Sequence, residues 1–96
     1  TLEAKVLSDA DKLDALGAIG VARVFAYAGR YNLLLHPGIW INESPEAPES
    51  TPLDEYRDKL KKLPRAMYTE TGKKLASERM EFMDEFFSSM EREVKR

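Results

Sequence analysis

Apolar residues recur along the first thirty positions at three- and four-residue steps: Leu2, Val6, Leu7, Leu13, Leu16, Ile19, Val21, Val24, Phe25 and Ala28. Side chains at those steps share one face of a 3.6-residue helix, so the spacing predicts helix with a single buried face. Gly17 and Gly20 interrupt it, and each costs about 1 kcal/mol against alanine in a helix interior. The pattern therefore predicts two helices, over about 2–16 and 18–30, with a break or a close crossing at Gly17 and a stop at Gly29.

Residues 31–52 follow a different pattern, with four of the five prolines among them. The run HPGIWINESPEAPESTP reads as a loop, long for a compact domain. Leu33, Leu34, Leu35, Ile39 and Trp40 are too apolar to stand in water, so Trp40 at least is expected to pack against helices. Ser50 or Thr51 can cap a third helix with Pro52 in its first turn and Leu53, Tyr56, Leu60 and Leu63 on one face. Pro64 is expected to end it. Thr69 or Thr71 then caps a long helix to about Val94, along which Leu75, Ala76, Met80, Met83, Phe86, Phe87, Met90 and Val94 form a stripe. Such a stripe is core rather than a cofactor box. No internal repeat and no two-residue alternation appears, so the class is all-α, with about four helices and a long loop at 31–52.

Ninety-six residues make one domain at most. Apolar content of 43% with 33% charged residues suits a folded globular chain. The absence of cysteine excludes disulfides and thiolate metal sites. A net charge of −2 argues against a nucleic-acid-binding protein. The acidic run Glu43, Glu46, Glu49, Asp54, Glu55 and the basic run Lys59, Lys61, Lys62, Arg65, Lys73, Lys74 read as two solvated faces. Leu13 to Gly29 is the longest mainly apolar stretch, and Asp14 and Arg23 interrupt it, so no membrane span is expected. With no signal-peptide pattern either, a cytoplasmic setting is expected. The opening LEAKVL has helical spacing, no obvious cap and no initiator methionine, which reads as a chain entered partway through a larger fold.

The chemistry concentrates in SDADKLDALGAIGVAR, residues 8–23. On a helix Asp11 and Asp14 share a face, while Asp9 points well away from Asp11. Two carboxylates can hold a hard divalent cation, yet two are too few to close a site. Spacing alone favours a helix start, with Ser8-x-x-Asp11 in the form of a capping box; a metal or phosphate site is the alternative. The glycines of GAIG read as small residues that allow close packing. His36, the only histidine, reads as a loop residue with no second ligand at helical spacing. No common catalytic constellation can be completed from these residues.

Taken together, LEAKVLSDADKLDALGAIGVARVFAYAG, YRDKLKKL and TETGKKLASERMEFMDEFF resemble the second half of HD-superfamily phosphohydrolases, in the uncharacterised single-domain subgroup. The resemblance implies an HD-domain-like helical bundle whose metal site uses a histidine, a His-Asp pair and a final aspartate. That aspartate falls in Ala10-Asp11-Lys12-Leu13, which makes Asp11 the implied metal ligand and Asp14 a supporting acidic residue of the catalytic set; one register error would exchange Asp9 with Asp11. The implied cofactor is a divalent metal ion (Mn, Mg, Fe, Co or Ni). The implied substrate is a small phosphorylated molecule, a nucleotide-like phosphomonoester or phosphodiester. Lys12, Arg23, Lys59 and Arg79 become candidates for phosphate or supporting contacts, Lys59 foremost.

No His-Asp dipeptide occurs in the chain, and His36 follows the aspartate it should precede. The resemblance therefore implies the C-terminal half of a hydrolase domain, inactive alone. Its partner would be the missing N-terminal half, covering the apolar face of residues 2–28; self-association would cover that face equally well, and neither nucleic acid nor membrane is expected as a partner. The rival reading is a non-catalytic helical interaction or dimerisation module.

Overall fold

The computed structural model describes residues 1–30 and 51–94. They form helix α1 (Leu2–Leu13), helix α2 (Gly17–Arg30), helix α3 (Pro52–Asp58), a 3₁₀ turn (Leu60–Ala66) and the long helix α4 (Glu70–Val94). No strand occurs among the described residues, so the all-α class holds. Of the expected loop 31–52, residues 31–50, with His36 and Trp40, lie outside the described residues, whereas Thr51 and Pro52 open α3.

Three sequence expectations about α1 need correction. A cap exists, because the Thr1 hydroxyl accepts from the Ala4 N–H at 3.1 Å. The helix then runs without a break through Ser8 and Asp11. A capping residue must leave helical backbone, so Ser8-x-x-Asp11 makes no capping box here. α1 stops at Leu13, three residues short of the expected end. Beyond it, Ala15 and Leu16 donate three residues back, to Lys12 and Leu13 at 3.0 and 3.1 Å, which tightens the chain into a turn. Gly17 completes that turn at φ +71°, a left-handed conformation that glycine adopts without steric penalty. A side chain at Gly20 would strike the Ala15 carbonyl, so this glycine lets the turn fold back onto α2.

α3 begins with the capping box: the Thr51 hydroxyl accepts from Asp54 N–H at 3.2 Å while the Asp54 carboxylate accepts from Thr51 N–H at 3.0 Å. The expected helix to Leu63 instead ends at Asp58. In an α-helix the ring of Pro64 would meet the carbonyl of Leu60, and the residues ahead of it wind more tightly, with Lys62 N–H donating to Lys59 at 3.2 Å. A 3₁₀ turn eclipses residues three apart. Leu60 and Leu63 therefore still face the core together.

Thr69 caps α4 through its hydroxyl, which accepts from Gly72 N–H at 2.9 Å. Half of the predicted stripe is core, Phe86 and Met90 pack against that core while partly buried, and Leu75 and Val94 are only half-buried. Ala76, Met80, Met83 and Phe87 are buried and pack with Leu16, Val21, Leu53, Tyr56, Leu60 and Met67. Full burial of one such large side chain contributes about 1.5–3 kcal/mol. Tyr56 stacks on Phe87 at 4.4 Å and donates its hydroxyl to Asp84. Burial, reinforced by that hydrogen bond, pushes the Tyr56 phenol up to about 12. Apolar side chains on the first two helices stay open: Leu2, Val6, Leu7 and Ile19 are each half or more exposed. Among the described residues no helix is long and apolar enough to cross a membrane.

The two glycines at the ends of α2 should respond in opposite ways. Gly17→Ala forces an L-side chain into left-handed backbone and against the Arg79 stem, 3.1 Å away, and should lower unfolding stability by about 1–2 kcal/mol. Gly29→Ala, with nothing within 4 Å of the new methyl group, should be neutral or stabilising by up to about 1 kcal/mol. Urea unfolding of both variants checks the pair.

Candidate functional site on helix α1

Successive residues of an α-helix turn by about 100°, so the three aspartates of α1 part company around its axis. Asp9 points at α4 and is 3% exposed. One carboxylate oxygen accepts from the Tyr68 N–H at 2.8 Å. The other accepts from the Thr69 N–H at 2.8 Å and the Thr69 hydroxyl at 2.7 Å. Thr69 opens α4, whose first N–H groups and dipole favour negative charge there. The missing side chain of Gly72 makes the approach possible, since a Cβ would collide with the Asp9 carboxylate. The Tyr68 N–H bond, followed by those of Thr69 and the nearby Lys12 charge, holds the Asp9 carboxyl below its ordinary range despite burial.

Asp11 lies about 200° round the helix from Asp9, on the side away from α4. Its side chain is exposed and makes no hydrogen bond or ion pair with any described residue. Asp14 is the residue at which α1 ends, and it is exposed too. Leu7, one turn before Asp11 on the same side, is 71% exposed.

Three of the four candidate cations converge on α1, and each is anchored to main chain. Lys12 donates to the Ala66 carbonyl at 2.6 Å and lies 4.5 Å from the centre of the Tyr68 ring. Arg23 donates to the Asp14 carbonyl at 3.2 Å and Arg79 to the Leu13 carbonyl at 2.9 Å. Arg23 thereby satisfies a carbonyl past the end of α1, and Arg79 adds a second bond to the Leu13 carbonyl, which already accepts from the Leu16 N–H. Lys59 stands apart, in the turn after α3, where it makes an exposed ion pair with Glu55 at 3.7 Å. Such a pair contributes little.

Among the described residues no group of three or more His, Asp or Glu could hold a metal ion. Asp11 and Asp14 can offer oxygens, but a hard cation asks for six or more. These residues do not make a metal site by themselves. Sequence reasoning missed the buried role of Asp9 together with Tyr68 and Gly72. Thr69 as a cap was the available signal, but nothing in the spacing ties residue 9 to a helix start sixty positions on.

The Asp9 carboxyl gives a pH prediction. Its folded value lies below the unfolded one of 3.8, so its stabilisation is fully present above that pH and is lost as pH falls through the lower folded value. Thermal melts of the wild type should drop steeply below about pH 4, and Asp9→Asn, already less stable at neutral pH, should show a shallower acid slope. Equal slopes would remove Asp9 as the titrating anchor.

No protein-family model matches the chain. It is 34% identical to the uncharacterized protein YpgQ of Bacillus subtilis over 94 residues, which are 98% of this chain and 41% of that protein. The crystal structure of Bacillus subtilis YpgQ in complex with ADP matches with a TM-score of 0.82, covering 98% of this chain and 45% of that one. An HD-superfamily hydrolase from Bacillus thuringiensis matches at 38% identity and a TM-score of 0.80, covering 97% and 46%. The Lin1889 protein of Listeria innocua matches at 39% identity and a TM-score of 0.82, covering 99% and 48%. The chain thus spans less than half the length of each of these relatives. By fold and by sequence it is similar, over that length, to an HD-superfamily hydrolase.

Proposed function

We propose that this chain is one part of a metal-dependent phosphohydrolase and supplies Asp11 as the last carboxylate ligand of its metal site. The observation that carries the reading is the division of labour along α1. Asp9 is consumed by the start of α4, whereas Asp11 is exposed on the opposite side, available to an ion held by polypeptide outside these residues. The HD-superfamily hydrolase among the structural relatives supports the reaction class. The ADP complex of YpgQ supports a nucleotide-like phosphomonoester or phosphodiester substrate. A divalent ion (Mn, Mg, Fe, Co or Ni) would supply Lewis acidity and an acidified water; this chain's share is one carboxylate oxygen, with Asp14 beside it. The partner is the remainder of the domain, which would bring the histidine and His-Asp ligands and cover the exposed Leu7.

A second reading has its own observation. A groove of about 880 Å³ lies along the second half of α4, lined by Phe82, Phe86, Met90 and Val94 together with Glu85, Ser89 and Glu93, and suits a helical interaction or dimerisation module.

Phosphoester hydrolysis with added manganese separates the two. The chain alone should show none. The complete domain, with the histidine and His-Asp ligands present, should turn over, and Asp11→Ala should reduce that by more than about 100-fold. Hydrolysis by the chain alone that Asp11→Ala abolishes would refute the shared site. Self-association with no hydrolysis in any combination would favour the module.

A further inference from the structure

Tyr68 carries a large aromatic ring in an open position, with 58% of the residue exposed, on main chain held by a buried carboxylate. Its N–H is fixed to the buried Asp9 carboxylate at 2.8 Å. The Lys12 ammonium stands 4.5 Å from the ring centre and is itself pinned to the Ala66 carbonyl at 2.6 Å. No other ring among the described residues stacks on it. An exposed phenol ring is usually free to swing; this one is tethered at its main chain and backed by a cation. A rigid, half-open ring of this kind loses little entropy when a flat partner lies on it.

Its position decides which flat partner fits. Lys12 follows Asp11 directly on α1, so the side chain that backs the ring leaves the helix about 100° round and a single residue step along from that of Asp11. A ligand spanning the two would carry a phosphoryl group at one end and a planar base at the other. We propose that Tyr68, backed by Lys12, is the base-stacking platform for a nucleotide whose phosphate is directed to the Asp11 side of α1. Lys12 then acts on the ring and not on phosphate, which accounts for its anchoring to Ala66. The proposal rests on the phosphohydrolase reading for the phosphate end only; stacking on Tyr68 can be observed without hydrolysis.

The experiment titrates AMP, and separately ribose 5-phosphate, into the isotope-labelled chain and follows the Tyr68 ring and the Lys12 and Ala66 signals by NMR. AMP should shift them and ribose 5-phosphate, which lacks the base, should not. Tyr68→Phe should bind AMP within about twofold of wild type, whereas Tyr68→Leu and Tyr68→Ala should weaken it by about tenfold or more. These variants keep the main-chain donor to Asp9, and circular dichroism melts near the wild-type value verify the fold. AMP binding undiminished in both Tyr68→Leu and Tyr68→Ala, or equal shifts from ribose 5-phosphate, overturns the platform. So does a wild-type chain whose Tyr68 signals ignore millimolar AMP. None of these results touches the hydrolase reading, which the phosphoester assay on the complete domain decides.

Discussion

A single buried carboxylate joins the first helix of this structure to the start of its last one. Asp9 sits on α1, yet its hydrogen bonds go to residues 68 and 69, where α4 begins. Three donors meet one charge, and each such bond is stronger than its neutral counterpart because the acceptor is ionised. The arrangement also answers an accounting problem, since the first N–H groups of a helix have no partner within it. Thr69 satisfies Gly72 through its hydroxyl, and Asp9 satisfies Tyr68 and Thr69. Gly72 is small because the carboxylate occupies the space its side chain would need.

The rest follows from that anchor. With Asp9 turned inward, helical geometry directs Asp11 outward and sets Lys12 between them. Arg79 then reaches from α4 past Gly17 to the Leu13 carbonyl, and Arg23 reaches from α2 to that of Asp14. α1 is thereby held at both ends of its acidic segment. Under the ligand role proposed for Asp11 such support would help, because a ligand that must be ordered on binding weakens the site. Three of the four side chains that looked suited to phosphate, Lys12, Arg23 and Arg79, are ones the fold uses to fix this helix; Lys59 is not.

Much of this was legible in the sequence. The break at Gly17, a cap at Ser50 or Thr51, a cap at Thr69 or Thr71 and the buried face of α4 all follow from local rules of spacing, capping and backbone freedom, and those rules act over four residues or fewer. The start of α1 at Thr1 obeys the same rules and was overlooked. The tightening of residues 60–66 was less legible, because Pro64 signals an interruption without saying how far upstream it acts. The role of Asp9 could not be read at all. An aspartate before an apolar run looks like the cap of its own helix, and only the packing of α1 on α4 shows that it serves another. For Asp11 the resemblance to HD-superfamily proteins carried the assignment, and its exposure on the far side of α1 is compatible with it.

The central claim is that neighbouring aspartates on one helix have separate duties, one to the fold and one to the surface. Thermal melts of Asp9→Asn and Asp11→Asn, run side by side at neutral pH, test it most directly. The account predicts that Asp9→Asn lowers the melting temperature by more than about 5 °C while Asp11→Asn leaves it unchanged. A chain that tolerates the first substitution and is destabilised by the second would contradict it.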